Sequence, residues 1–457
     1  MRKLLAGLIC ASLLLTACGG GGGVTTSSTG GSGSGGSGSG GSGSGGGSGS
    51  GTANNVVNAV VDDGPPALAA ANEGAVNILY VNVTVCVPGS TTTCQTIDHV
   101  QVDTGSQGLR IISSALNSTM LNALHQVSFG GTAGVAECVL FVDGYSWGPL
   151  YSADVHVGGT DTATSGESAP NIPIQVIGTT TYPVPADCDS AGMGTPENTV
   201  LAFGANGIIG VGLFDQDCGP GCNQIEGITN GNGYYSCTNS GCSATLVPVT
   251  SQVINPVYGL TANNGSTDNN GVIIELPTVG SNGAATVTGT LIFGIGTQSN
   301  NALAGGVTVL TTDQNGLITT DLTSLGQNDP TSYFDSGSNA LYFLDSNITT
   351  CTESFDTGFF CPASLTNLTA SVTGANGLGT TVPFSIAAAD TLFTANPSFS
   401  AFSNLGGTAA TTGGSGSTGN TGIGTFGWGL PFYYGKNVYT AMENTNPGGT
   451  PGPYFAF

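Results

Sequence analysis

The sequence predicts an all-β protein, and three observations carry that prediction. Glycine supplies 77 of 457 residues while only 7% are charged, a composition of turns rather than of amphipathic helices. Strand-length runs of Val, Ile, Thr, Tyr and Phe recur between clusters of Gly, Asn, Ser and Pro. No long stretch carries apolar residues at helical spacing. The length is enough for two domains, each with its own core.

The first element is a leader rather than part of the fold. Arg2 and Lys3 precede an apolar stretch over residues 4–14, too short to span a bilayer, and Leu15-Thr16-Ala17-Cys18 resembles the bacterial lipobox. The expectation is a signal peptide over 1–17 and a lipid-carrying Cys18. Gly19 is not the aspartate that holds many lipoproteins at the inner membrane, which points to the outer membrane or cell surface. Residues 18–51 are Cys18 followed by a Gly/Ser-rich tether with a root-mean-square reach of roughly 30 Å, unable to bury a core. Residues 52–73 read as a transition segment, with the folded head starting near Gly74 and dividing into halves at 74–254 and 255–457.

Cysteine usage agrees with export. Of 12 cysteines, Cys10 falls in the leader and Cys18 at the lipid site, leaving an even set compatible with disulfides. Pairing neighbours along the chain gives Cys86 with Cys94, Cys138 with Cys188, Cys218 with Cys222, Cys237 with Cys242, and Cys351 with Cys361. Sequence alone does not choose this connectivity over others. A metal site on Cys218, Cys222, Cys237 and Cys242 is disfavoured by export and by the lack of nearby histidine.

Two short strings stand out in the folded part. Val102-Asp103-Thr104-Gly105-Ser106 and Phe334-Asp335-Ser336-Gly337-Ser338 each place an aspartate behind an apolar run and ahead of a hydroxyl-Gly-hydroxyl turn. The runs at 79–85 and 99–102 read as a hairpin delivering Asp103, and 332–334 delivers Asp335. Duplicated carboxylates in duplicated turns suggest one site built from two halves. Two carboxylates sharing one proton cannot both ionise, so one pKa is expected to fall and the other to rise, the pair titrating as a unit. The ionised oxygen can then take a proton from a water that attacks a peptide carbonyl, while the protonated partner polarises that carbonyl. Gly105 and Gly337 leave room for close approach, Thr104 and Ser336 are placed to bond across to the opposite turn, and Ser106 and Ser338 to donate to the near carboxylate.

These strings, with their surroundings, resemble the pepsin-type aspartic endopeptidases. The similarity runs from about residue 75 to 457 through ordered blocks: YVNVTVCVPGSTTTCQTIDHVQVDTGSQGLRI for the first hairpin and turn, FVDGYSWGPLYSADVHVGG for the flap, NGIIGVG for the element supporting the first turn, TGTLIFGIG for entry to the second half, YFDSGSNALYF for the second turn, and FGWGLPFYYGKNVYTAMEN for the last supporting strand. The resemblance implies a two-lobed all-β fold with pseudo-twofold symmetry, a cleft between the lobes, and Asp103 and Asp335 as catalytic pair supported by Thr104, Gly105, Ser106, Ser336, Gly337 and Ser338. An extended peptide would be the substrate, with Tyr145 and Trp147 as cleft-lining candidates and a monomer as the working unit. The family's flap carries Tyr before Gly, whereas Asp143 precedes Gly144 here. The aspartates also lie further apart in sequence than the family usually shows, which implies insertions, above all the Cys-rich stretch 218–242. The chain resembles more closely a group of proteobacterial surface lipoproteins of unassigned function that share the DTGSQGLRI-like box. A catalytically silent binding module of the same fold, an adhesin or inhibitor, is the alternative.

Charge narrows the partners. Net charge is −23, becoming −25 once Arg2 and Lys3 leave with the leader, which disfavours nucleic acid and anionic membrane surfaces. No G-x-G-x-x-G, P-loop, zinc-helix or calcium-loop signature appears, so no cofactor is expected. A third Asp-Thr-Gly, at Asp356, lacks the following hydroxyl and reads as an ordinary turn. The histidines His99, His125 and His156 are scattered, with no G-x-S-x-G elbow beside them, and Arg110 is expected to pair a carboxylate near the first turn.

Overall fold

The computed structural model describes residues 3–5 and 53–457, except 130–132, 143, 160–165, 190–193, 229–231, 239, 262–266, 323–324 and 410–423. The expected leader cleavage site, Cys18, the tether and Asp143 lie outside the described residues. The chain is all-β, as composition requires: among the described residues the longest helix, Ala389–Ala395, has 7 residues.

Most strands join one of two sheet systems. One is a closed network that begins at Val56–Val61 and ends at Tyr454–Ala456. The other is a seven-stranded sheet that runs in order Gly379–Ile386, Thr366–Thr373, Ile318–Leu322, Gln327–Phe334, Gly427–Trp428, Leu341–Phe343 and Gly406–Thr408. A single large apolar cluster links them, from Val57 and Val102 through Leu291 to Phe334 and Trp428.

The fold starts earlier than Gly74. Val56–Val61 is a strand whose Val57, Ala59 and Val61 are buried while Asn58 is exposed, the alternation of a half-buried strand. It pairs antiparallel with Val287–Phe293 on one side and Leu79–Cys86 on the other. The expected boundary at 254/255 is therefore not a boundary between sheets, because strands from both halves share this network. The apolar string VVNAVV, of strand length and rich in valine, carried the signal.

All five neighbour disulfides are formed. Cys86–Cys94 closes the hairpin of Leu79–Cys86 and Cys94–Asp103 ahead of Asp103. Cys218, Cys222, Cys237 and Cys242 are consumed as disulfides, and the Cys-rich stretch forms the hairpin Asn232–Thr238 and Gly241–Ala244, laid beside Ala133–Leu140.

Candidate active site: two aspartates in facing turns

Each aspartate leaves the end of a strand that is held by an identical arrangement of neighbours. Gly207–Val211 runs parallel to Cys94–Asp103 and antiparallel to Gln107–Ile112, the strand that follows the turn. It is buried along its length, as an all-apolar strand flanked on both edges should be. In the second instance Gly427–Trp428 runs parallel to Gln327–Phe334 and antiparallel to Leu341–Phe343. Gly210 pairs with Asp103, and the Asp335 N–H donates to the Trp428 carbonyl at 3.0 Å. Close packing forbids a side chain at Gly210, where a Cβ would lie 2.6 Å from the Gln107 nitrogen.

The turns interlock. The Thr104 N–H donates to Ser336 Oγ at 3.1 Å and the Ser336 N–H donates to Thr104 Oγ1 at 3.0 Å. Each hydroxyl then donates onward across the junction, Ser336 Oγ to the Val102 carbonyl at 2.8 Å and Thr104 Oγ1 to the Phe334 carbonyl at 3.3 Å. Four bonds between segments 232 positions apart, all buried, tie the two turns together. Gln101 adds a fifth link, its Nε2 donating to the Gly337 carbonyl at 3.0 Å.

Within each turn the carboxylate is held by its own loop. The Gly105 N–H donates to Asp103 Oδ1 at 2.7 Å and the Gly337 N–H to Asp335 Oδ1 at 2.8 Å. Ser106 Oγ donates to Asp103 Oδ2, and Ser338 Oγ to Asp335 Oδ2 at 2.7 Å. Gly337 is required for the approach: a Cβ there would stand 2.6 Å from Asp103 Oδ1 and 3.0 Å from Asp335 Oδ1. The two carboxyl groups are close enough to act on one another's protonation, both Oδ1 atoms flanking the space beside Gly337. Both aspartates are fully buried, at 0% exposure.

Burial pushes both carboxyls up from the ordinary range rather than splitting them to either side of it. Asp335 goes well above, because burial is joined by the charge of Asp103 beside it. Asp103 rises less, since Asp335, Ser106, the Gly105 amide and Arg110 all favour its ionised form. The expected fall of one pKa is thus overturned by desolvation. What survives is the asymmetry, with the shared proton biased towards Asp335.

Sequence reading missed two features beside the pair. Tyr433 shares a 2.9 Å hydrogen bond with Thr104 Oγ1 and is fully buried, with its hydroxyl pushed up by burial. It lies inside the quoted block FGWGLPFYYGKNVYTAMEN but has no distinguishing spacing. Arg110, expected to find one carboxylate, finds two: Nη2 donates at 3.0 Å to both Glu137 Oε1 and Asp217 Oδ2. Its Nη1 donates to the Gln107 carbonyl at 2.6 Å, so the ion cluster grips the strand just after the first turn.

The cleft-lining expectation for Tyr145 and Trp147 is corrected. Both are 2% exposed, packed in a cluster with Cys138, Cys188 and Tyr235. Tyr145 donates to Asp189 Oδ1 at 2.6 Å and Trp147 Nε1 to the Tyr182 carbonyl at 3.2 Å. Their aromatic area is spent on local packing because the Cys138–Cys188 disulfide folds chain over them. Asp356 stays apart from the pair, as a turn residue within the Cys351–Cys361 loop.

Residues 51–457 match the model of a family described as "Protein of unknown function (DUF3443)". No curated protein matches the chain.

Proposed function

The chain belongs to the DUF3443 family, whose description assigns no activity, and we propose that it is an aspartic endopeptidase with a two-lobed pepsin-like architecture. The observation that carries the reading is the reciprocal bonding of Thr104 and Ser336, which seats Asp103 and Asp335 against each other. The repeated strand arrangement around each aspartate supports a pseudo-twofold relation, with the substrate cleft between the halves.

With its proton biased towards Asp335, the pair holds one acid and one base. Asp103 takes a proton from water as the water oxygen bonds to the peptide carbonyl carbon, and Asp335 donates to the carbonyl oxygen. The tetrahedral intermediate then breaks its C–N bond, the leaving nitrogen receiving the proton from Asp103, and the hydroxyl proton returns to Asp335. Atoms and charge balance without a covalent enzyme intermediate. An extended peptide would lie in the cleft by strand-like main-chain bonds. The lipobox-like leader and Gly/Ser tether support placement at the bacterial surface through Cys18.

Complete burial of both carboxyls favours a second reading, a silent module that keeps the fold and binds peptide without cutting it. One experiment separates the two. Purified protein is incubated with denatured protein substrate between about pH 3 and pH 7, beside Asp103→Asn and Asp335→Asn, with pepstatin-type ligands as inhibitors. Acid-favoured cleavage lost in both variants supports the enzyme. No cleavage and no inhibitor binding by the folded wild type removes it.

A further inference from the structure

One cavity of the molecule is lined by neither aspartate, and its wall has an unusual charge for this chain. It encloses about 450 Å³ between the hairpin Thr366–Thr373 and Gly379–Ile386 and the segment leading into Lys436–Ala441. That volume is in the range of small-molecule sites, which run to roughly 300–1,000 Å³. Its floor is apolar and buried, made by Leu341, Val382, Trp428 and Phe432, while the rim is exposed and polar at Asn367 and Thr369.

The chain has 27 acidic residues and only 4 Lys and Arg, yet none of the lining residues is acidic and one is Lys436. Among the described residues no carboxylate lies within ion-pair distance of Lys436. One of its protons goes to the Phe432 carbonyl at 2.7 Å and the ammonium rests 4.4 Å from the Phe432 ring centre. An ammonium carries three donors, so two remain for a ligand. An apolar floor, a polar rim and a solitary cation select a ligand with an apolar body and one negative group, and a wall without acids offers nothing to a cationic one.

The geometry points to a binding site for a small amphiphilic carboxylate, its hydrocarbon or aromatic body on Leu368, Pro383 and Phe384 above the buried floor and its carboxylate on Lys436. The site includes neither aspartate, though Trp428 beneath it also belongs to the strand that supports the second turn.

The test uses detergent-free protein and decanoate as probe, by calorimetry and by quenching of tryptophan fluorescence with ω-bromodecanoate, since Trp428 lines the floor. Saturable one-to-one binding is expected, weakened about tenfold or more in Lys436→Met and about as much when decanol replaces decanoate, the loss expected for one charge-assisted contact. Ser385→Trp, which fills the cavity and leaves the cation in place, should abolish binding and keeps the test valid if the lysine variant fails to fold. No saturable binding, equal binding of decanol, or binding unchanged by either substitution overturns the assignment.

Discussion

Ser336→Ala is the sharpest probe of the junction between the two turns. The substitution removes one oxygen and keeps the backbone, so the Ser336 N–H still donates to Thr104 Oγ1. It deletes the acceptor of the Thr104 N–H and the donor to the Val102 carbonyl, at 3.1 and 2.8 Å. Both orphaned groups sit on residues that are nearly or wholly buried, Thr104 at 3% and Val102 at 0% exposure, so water does not replace the serine freely. An unsatisfied buried donor costs about 1–3 kcal/mol, and a carbonyl with a second lone pair less, giving a loss of about 2–3 kcal/mol in unfolding free energy. Urea titration at a pH where the protein unfolds reversibly reads it, and a cycle with Thr104→Val should show coupling of about 0.5 kcal/mol or more. Loss below about 0.5 kcal/mol, the size of an ordinary surface substitution, would refute an interlocked junction.

Three further outcomes follow from the same geometry. Gly337→Ala should abolish cleavage while leaving a folded protein, checked by activity and circular dichroism, because its Cβ would enter the space held by Asp103 Oδ1 and Asp335 Oδ1. Asp335→Asn should flatten the pH dependence of stability: a carboxyl raised above the ordinary 3.8 binds its proton more tightly when folded, so its contribution is full below 3.8 and is lost as pH rises through the folded value. Urea titrations at acid and neutral pH compare the two slopes. Arg110→Met should cost about 3 kcal/mol or more by leaving Glu137 and Asp217 buried without their cation, read from the urea midpoint.

The all-β class and the disulfides were legible because composition and cysteine order are local properties of the chain. The two turns were legible for a different reason: in Asp-Thr-Gly-Ser and Asp-Ser-Gly-Ser the glycine amide and the last serine hold their own aspartate within three residues, while the middle hydroxyl reaches the opposite turn. Val56–Val61 shows only a short valine-rich run, because its alternation lies in the burial set by its partner strands, Val287–Phe293 and Leu79–Cys86, and not in the sequence. Tyr145 and Trp147 show the converse. Aromatics near a flap-like block attract a binding role, but their burial with Tyr182 and Tyr235 around Cys138–Cys188 is decided by tertiary packing that no local pattern announces. The upward shift of both carboxyls was not legible on the same ground, since charge coupling is implied by two acids but complete desolvation is a property of the packed molecule.

The central claim is that Asp103 and Asp335 hold one proton between them, and an isotope-edited infrared titration of the aspartate carboxyls measures it most directly. The account predicts a component of the protonated-carboxyl band, additional to that of Asp217, that persists well above pH 3.8, is lost in Asp335→Asn, and moves to lower pH in Asp103→Asn because the neighbouring charge that raises it is gone. A band at the same midpoint in wild type and Asp103→Asn would show two carboxyls titrating without knowledge of each other, and would contradict it.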